Sequence, residues 1–168
     1  ELLVQQLLDL IVARRAGTFE IDLRLRPFGS KGPLATSLDA FREYYRHGGQ
    51  AAPFERQALI KLRGVAGDPA LRQAVETLRD AFVYSAEPFA LETALQLRQR
   101  QRHELVAPGA VDAKYSQGGL VDIEYTVQYL QLRHGATVPA LRTPQTLAAL
   151  QALYQANIIS ATVYQTLH

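Results

Sequence analysis

Two stretches of this chain carry side chains whose types and spacing suit chemistry on an anionic substrate. In the first, Asp22, Arg24 and Arg26 alternate with Ile21, Leu23 and Leu25. Neighbours on one face of an extended chain lie about 6.5–7 Å apart, so the three polar groups share a side. A carboxylate there suits a hard cation, and forked guanidinium donors suit phosphate oxygens. The plainer alternative is a solvated strand face with weak surface ion pairs. In the second stretch Lys114 precedes Gly118-Gly119, and Asp122 and Glu124 follow. Paired glycines let a backbone approach a ligand closely, and a helix start points amide donors outward, so a lysine and several amides together would hold an anion. The same residues also fit an ordinary loop-to-helix junction, where an Asp in the first turn answers the helix dipole.

The elements that must position these groups follow from periodicity. Leu3, Leu7, Leu10 and Ile11 have helical spacing over 2–15, and Arg14-Arg15-Ala16-Gly17 stops that helix. Glu20 to Arg26 alternates as a half-buried strand that Pro27 ends, and Phe28 to Pro33 is a loop. Thereafter the pattern is helical. Thr36-Ser37-Leu38-Asp39 opens a helix that stops at Gly48-Gly49. Pro53 starts the next, with Phe54, Ala58, Leu59 and Leu62 inward. Asp68-Pro69 caps a helix running to about Tyr84, and Pro88 begins one to about Val106. Gly118-Gly119 leads into a helix closed by Gly135, whose core stripe is Ile123, Val127 and Leu130; Thr143-Pro144 and Ser160 cap the last two. The fold class is therefore mainly α: a helical bundle domain over 37–168, preceded over 1–36 by a helix–strand remnant of an α/β domain.

Composition narrows the function classes. The net charge of +2, from 18 basic and 16 acidic residues, is too small for a general nucleic-acid grip. The Arg/Gln-rich run Gln96 to Arg102 reads as a solvated helix face. The absence of Cys excludes disulfides, thiolate metal sites and a Cys nucleophile, which fits a cytoplasmic protein. No apolar run approaches the ~20 residues that span a membrane. His47, His103, His134 and His168 have no metal-ligand spacing. Both ends open and close inside a helical pattern, as expected of an internal fragment.

Glu20 to Pro27, followed by Gly29, Gly32 and Leu34, closely resembles a signature of glutamine-synthetase adenylyltransferases, which are polymerase-β-like nucleotidyltransferases. In that superfamily a Gly-Ser pair and an Asp-x-Asp pair precede a strand bearing a third Asp, and the three carboxylates hold Mg²⁺ against a triphosphate. The resemblance makes Asp22 that third carboxylate, catalytic and metal-binding, and gives Arg24 and Arg26 phosphate or protein-substrate contacts. The chain has no Asp-x-Asp, and no Gly-Ser ahead of Asp22. A two-metal site needs several convergent oxygens around cations about 3.5–4 Å apart, so the fragment alone is expected to be inactive.

Lys114-x-x-x-Gly118-Gly119-Leu120-x-Asp122-Ile123-Glu124 resembles a hallmark of the helical domain that follows the catalytic domain in these enzymes, with a related form in PII uridylyltransferases. The resemblance implies that Lys114, Gly118 and Gly119 lie near ATP, facing a cleft shared with Asp22, and that Asp122 and Glu124 position basic partners. Phe54 to Arg63, then Gly67-Asp68, resembles a third family stretch that usually reads Trp-Glu-x-x-Ala-Leu before basic residues. By that likeness Glu55, Lys61 and Arg63 reach the interdomain cleft; on their own they fit i,i+4 decoration of a surface helix equally well. The implied activity is transfer of AMP from ATP to a glutamine-synthetase tyrosine, or its phosphorolytic removal, regulating nitrogen metabolism with glutamine synthetase and the PII signalling protein as partners. A PII uridylyltransferase-type enzyme and a non-catalytic helical docking module are the alternatives.

Overall fold

A computed structural model describes residues 2–14 and 21–168; Arg15-Ala16-Gly17 of the expected stop, and Glu20 of the expected strand, lie outside them. The described chain forms α1 (Leu2–Arg14), α2 (Leu38–Tyr45), α3 (Glu55–Leu59), α4 (Pro69–Val83), α5 (Leu91–Leu105), α6 (Leu120–His134), α7 (Thr146–Gln155) and α8 (Ala161–Leu167). The fold is mainly α, as the 3.6-residue periods predict. The strand expected over 20–26 is corrected: Ile21 to Arg24 has no regular structure, and Leu25 and Arg26 bend. Alternation fixes which side chains share a side, but a strand exists only through ladder hydrogen bonds to a neighbour. No described residue supplies them.

Caps set several helix starts. Ser37 Oγ accepts from the Ala40 amide at 3.2 Å, Asp68 Oδ1 from the Leu71 amide at 2.8 Å, and Ser160 Oγ from the Val163 amide at 3.2 Å. Thr143 does not cap α7; its Oγ1 accepts from the Gln145 amide, and the helix begins one residue later.

The chain divides into two compact units, residues 1–51 and 52–168. The sequence boundary at 36/37 marks a change of hydrophobic period, which is a different property from compactness. In the first unit Leu3, Leu7, Leu10 and Ile11 of α1 are exposed. Phe28, at φ +64°, sets its ring edge-on against Tyr44 with centroids 4.7 Å apart, and Tyr44 meets Tyr45 at 4.8 Å.

In the second unit the core gathers Val127 of α6, Leu141, and Ala149, Leu150, Ala152 and Leu153 of α7, with Ile123, Leu130, Ile158 and Tyr164 against it. The stripe expected on α6 faces this core, with Val127 buried and Ile123 and Leu130 partly so, while Val121, Gln128, Gln131 and Leu132 are also buried. On α3 the inward face holds at Leu59, which is buried, and partly at Ala58 and Leu62, but is corrected at Phe54, which is exposed; Ile60, Arg56 and Gln57 are the further buried residues. Arg56 is inside because its fork serves the end of α4. Its Nε and Nη2 donate to the Val83 carbonyl at 3.2 and 3.0 Å, and Nη1 donates to the Glu87 carbonyl at 2.9 Å. Burial lowers the pKa of its guanidinium. Gly135, just past α6, has φ −66°, so it is not there for left-handed backbone; a Cβ at that position would lie 2.4 Å from Tyr84 Cδ1. Burial pushes the Tyr84 hydroxyl up to about 12. Among the described residues, no helix is long and apolar enough to cross a membrane.

Candidate functional site

Asp22 sits in the first unit beside Arg24, two residues on. Arg24 Nε donates to Asp22 Oδ1 at 2.9 Å and Nη2 to Oδ2 at 2.7 Å, while the Arg24 amide also donates to Oδ1 at 2.9 Å. Hydrogen bonding from the Arg24 side chain, then from its amide, takes the Asp22 carboxyl down to about 2. Both side chains remain largely open to solvent, 48% for Asp22 and 79% for Arg24. Arg26 is used differently. Its fork turns back on its own loop, donating to the Gly32 carbonyl from Nε at 3.2 Å and Nη2 at 3.1 Å, and from Nη1 to the Leu23 carbonyl. Arg26 thus holds the turn that carries Pro27 and Phe28.

The Lys114 loop lies in the second unit and is closed by its own bonds. Asp112 Oδ1 accepts from the amides of Lys114 and Tyr115 at 2.8 and 2.7 Å, and Ser116 Oγ accepts from the Asp112 amide at 2.8 Å. The amides that the glycine pair was expected to offer outward each have a partner inside the chain. Gly118 donates to Asp122 Oδ2 at 2.6 Å, Gly119 to the Ser116 carbonyl at 3.0 Å, Leu120 to that of Ala113 at 3.1 Å and Val121 to that of Lys114 at 3.1 Å. The two glycines have separate reasons. Gly118 adopts φ +79°, whereas a Cβ on Gly119 would meet the carbonyl oxygens of Ala113, Lys114 and Ser116 at 2.7–2.9 Å. The close approach is the loop's own. The Lys114 side chain stays in solvent with its ammonium 4.9 Å from the Tyr115 ring centre, and hydrogen bonding to the Tyr115 side chain raises its pKa.

The residue that secures this loop escaped the sequence reading. Arg98, on the α5 run whose composition predicts a solvated face, is buried. Its Nε donates to Asp122 Oδ1 at 2.6 Å, and its Nη2 to the Tyr115 and Ser116 carbonyls at 2.8 and 3.2 Å. Asp122 therefore bridges Arg98 and the Gly118 amide. The available signal was spacing: Ala94 and Arg98 are four apart and both buried. An arginine on a buried stripe implies a partner.

A second network joins α3, α6 and α7. Lys61 Nζ lies 2.7 Å from Glu124 Oε1 and donates to Thr146 Oγ1 at 2.8 Å. Gln57 Nε2 donates to Gln128 Oε1 at 2.9 Å beneath them. Glu55 accepts from the Ala52 amide at 2.9 Å, ahead of the helix it opens. Arg63 is exposed. The structure thus brings Lys61 together with Glu124, and Lys114, Gly118, Gly119 and Asp122 with one another. Asp22, Arg24 and Arg26 belong to the other unit. A groove of about 620 Å³ between residues 85–92 and the end of α6 is lined by Phe89, Tyr129, Leu132 and Arg133, and by none of the residues given a catalytic or binding role from sequence. Among the described residues no three His, Cys, Asp or Glu gather as a metal site. One carboxylate with both oxygens on Arg24 does not make one.

Two family models divide the chain. That of glutamate-ammonia ligase adenylyltransferase matches residues 3–78, and that of GlnD PII-uridylyltransferase matches residues 89–168. Both descriptions are of nucleotidyltransferases; α5 to α8 and the Lys114 loop fall under the second, and α3 with most of α4 under the first. Relatives named bifunctional glutamine synthetase adenylyltransferase/adenylyl-removing enzyme run through both stretches. The protein of Leifsonia xyli subsp. xyli is 43% identical over 136 residues, 78% of this chain and 13% of that protein. That of Mycobacterium leprae is 38% identical over 146 residues, 83% and 14% of the two, and that of Chromobacterium violaceum 42% over 125 residues, 73% and 14%. The chain belongs to the glutamine synthetase adenylyltransferase family. It spans 13–15% of the length of the curated relatives it matches.

Proposed function

We propose that this chain is the segment of a bifunctional nucleotidyltransferase at which a catalytic domain gives way to its helical domain, and that the whole enzyme transfers AMP from ATP to a tyrosine of glutamine synthetase or removes it with phosphate as ADP. The observation that carries the reading is the 38–43% identity to enzymes of that name over most of this chain. In the adding direction the tyrosine oxygen forms a bond to the α-phosphorus as the bond to pyrophosphate breaks. In the removing direction phosphate displaces the tyrosine. Either is an in-line transfer governed by positioning and charge neutralisation.

Within that scheme Asp22 contributes one carboxylate to a Mg²⁺ site whose other ligands lie outside this chain, and it does so only if Arg24 releases it. Arg24 brings a guanidinium fork of the kind that suits phosphate oxygens. Lys114 is the group of the helical unit suited to a nucleotide phosphate, since it is exposed and cationic while the amides around it are taken. PII and glutamine synthetase are the protein partners, and the ATP requirement goes with a cytoplasmic setting. The match of residues 89–168 to the uridylyltransferase model favours a UTP-using enzyme as the second reading; the match of residues 3–78 speaks for adenylyl transfer.

Two substitutions in the full-length enzyme test this. Asp22→Asn is expected to lower adenylyl transfer at least about a hundredfold with little change in melting temperature. Lys114→Ala is expected to weaken ATP binding about tenfold, the loss of one charge-assisted contact. ATP affinity unchanged by Lys114→Ala would remove the helical unit from the nucleotide site.

A further inference from the structure

Each of the two networks in the helical unit ends on a lysine, but they hold it differently. Lys61 is engaged directly, by Glu124 and Thr146. Lys114 is left in solvent, and it is the backbone around it that is fixed. Three devices do the fixing. Asp112 accepts from the Lys114 and Tyr115 amides; the Ala113 and Lys114 carbonyls receive the first amides of α6; and Arg98 closes the loop from below. Only the last reaches another helix through side chains. Arg98 grips the Tyr115 and Ser116 carbonyls while pairing with Asp122, whose second oxygen holds Gly118. One guanidinium and one carboxylate thus bind both ends of the loop to α5 and α6.

We propose that Arg98 and Asp122 form a latch that positions Lys114 toward a phosphate-bearing ligand, acting through the loop and touching no ligand themselves. The proposal rests on the reading of Lys114 given above. Three features support it. The pair is 24 residues apart in sequence and joins two helices, so it is tertiary and not local decoration. The Arg98 side chain is 10% exposed and that of Asp122 34% exposed, so the bond is protected from solvent where Lys114 is not. Each member also bonds loop backbone, which a pair serving helix packing alone would not need. A long lysine gains little from a rigid base unless its ammonium must arrive at one place.

The test uses the full-length enzyme with Lys114→Ala, Asp122→Asn, Arg98→Lys and the double variant Lys114→Ala/Asp122→Asn. Asp122→Asn removes the charge but keeps an acceptor, and Arg98→Lys keeps the charge but loses the fork, so both are mild. ATP affinity, adenylyl transfer kcat and KM, and amide hydrogen exchange at Gly118 are measured, with the core amides of Leu150 and Leu153 as the control for folding. The expected result is about tenfold faster exchange at Gly118 and about tenfold weaker ATP binding in Asp122→Asn, with KM raised and kcat little changed. In the Lys114→Ala background the same change should cost no further affinity. Equal effects in both backgrounds, or faster exchange at Gly118 with unaltered ATP affinity, would overturn the latch and leave the nucleotide reading standing. If Lys114→Ala itself has no effect on ATP binding, both fall together. If Leu150 and Leu153 also exchange faster, Arg98→Lys decides: loss of affinity with a quiet core supports the latch, and retained affinity with fast Gly118 exchange refutes it.

Discussion

Of the carboxylate–arginine pairs among the described residues, two involve the residues of the candidate site, one in each unit, and they have almost nothing physical in common. Asp22 and Arg24 are two residues apart, bonded through both oxygens, and stand in solvent. Asp122 and Arg98 are 24 residues apart, bonded through one oxygen, and are largely sheltered. The exposed pair has the better geometry and the smaller value. In water its attraction is screened and offset by the entropy of two ordered side chains. The sheltered pair has a single contact, yet removing either partner leaves a partly desolvated charge answered only by loop backbone. Sequence draws the eye to the first because its members are adjacent. The second is invisible until the chain is folded.

The largest expected effect breaks this comparison from the sheltered side. Arg98→Ala should destabilise the chain by about 3 kcal/mol, since it leaves Asp122 with only the Gly118 amide and strips the Tyr115 and Ser116 carbonyls of their donor together. Urea unfolding measures it. Arg24→Ala in the same assay should change stability by less than about 0.5 kcal/mol. Comparable losses in the two variants would mean that exposure does not separate the pairs.

A middle-sized effect sharpens the contrast by leaving every charge in place. Gly119→Ala puts a methyl group against three carbonyl oxygens of the Lys114 loop, none of which is a flexible side-chain end. The loop must open, and a loss of about 1–3 kcal/mol follows. Gly118→Ala meets no atom but must hold φ +79°, at a cost of about 1–2 kcal/mol. If opening the loop also loosens Arg98 from Asp122, Gly119→Ala and Asp122→Asn will be less than additive in thermal melts, whereas Gly119→Ala and Arg24→Ala will add.

How much of this was legible beforehand depends on the range of the interaction. The Ser37, Asp68 and Ser160 caps and the α6 stripe were legible, because a cap and a period are settled within one or two turns. The strand over 20–26 was not, because its partner would be another segment. Phe54 and Arg56 came out inverted, aromatic outside and cation inside, because Arg56 answers carbonyls 27 to 31 residues away. The glycine pair was placed correctly at a loop-to-helix junction, but its reason was misread: the backbone that Gly119 admits closely is the loop's own. Arg98 was hidden inside a run whose neighbours are exposed, so composition averaged it away.

The smallest expected effect isolates the exposed pair. The Asp22 carboxyl lies at about 2, below its ordinary 3.8, because Arg24 donates to it from side chain and backbone. A carboxylate whose folded pKa is depressed adds stability that is fully present above its unfolded pKa and is lost as pH falls through the folded one, so the window is roughly pH 4 to 2. With the side chain half open to solvent, the gain over that window is small and salt-sensitive. Carbon-detected titration should find Asp22 near 2 at low salt and move it toward 3.8 in Arg24→Gln; the residual depression then measures the amide bond from residue 24, which the substitution keeps. In 1 M salt the native chain should lose part of the shift. A shift at Asp22 that salt leaves unmoved would show that this pair is not screened as an exposed one must be, and the contrast between a pair that is merely close and a pair that is enclosed would lose its exposed half.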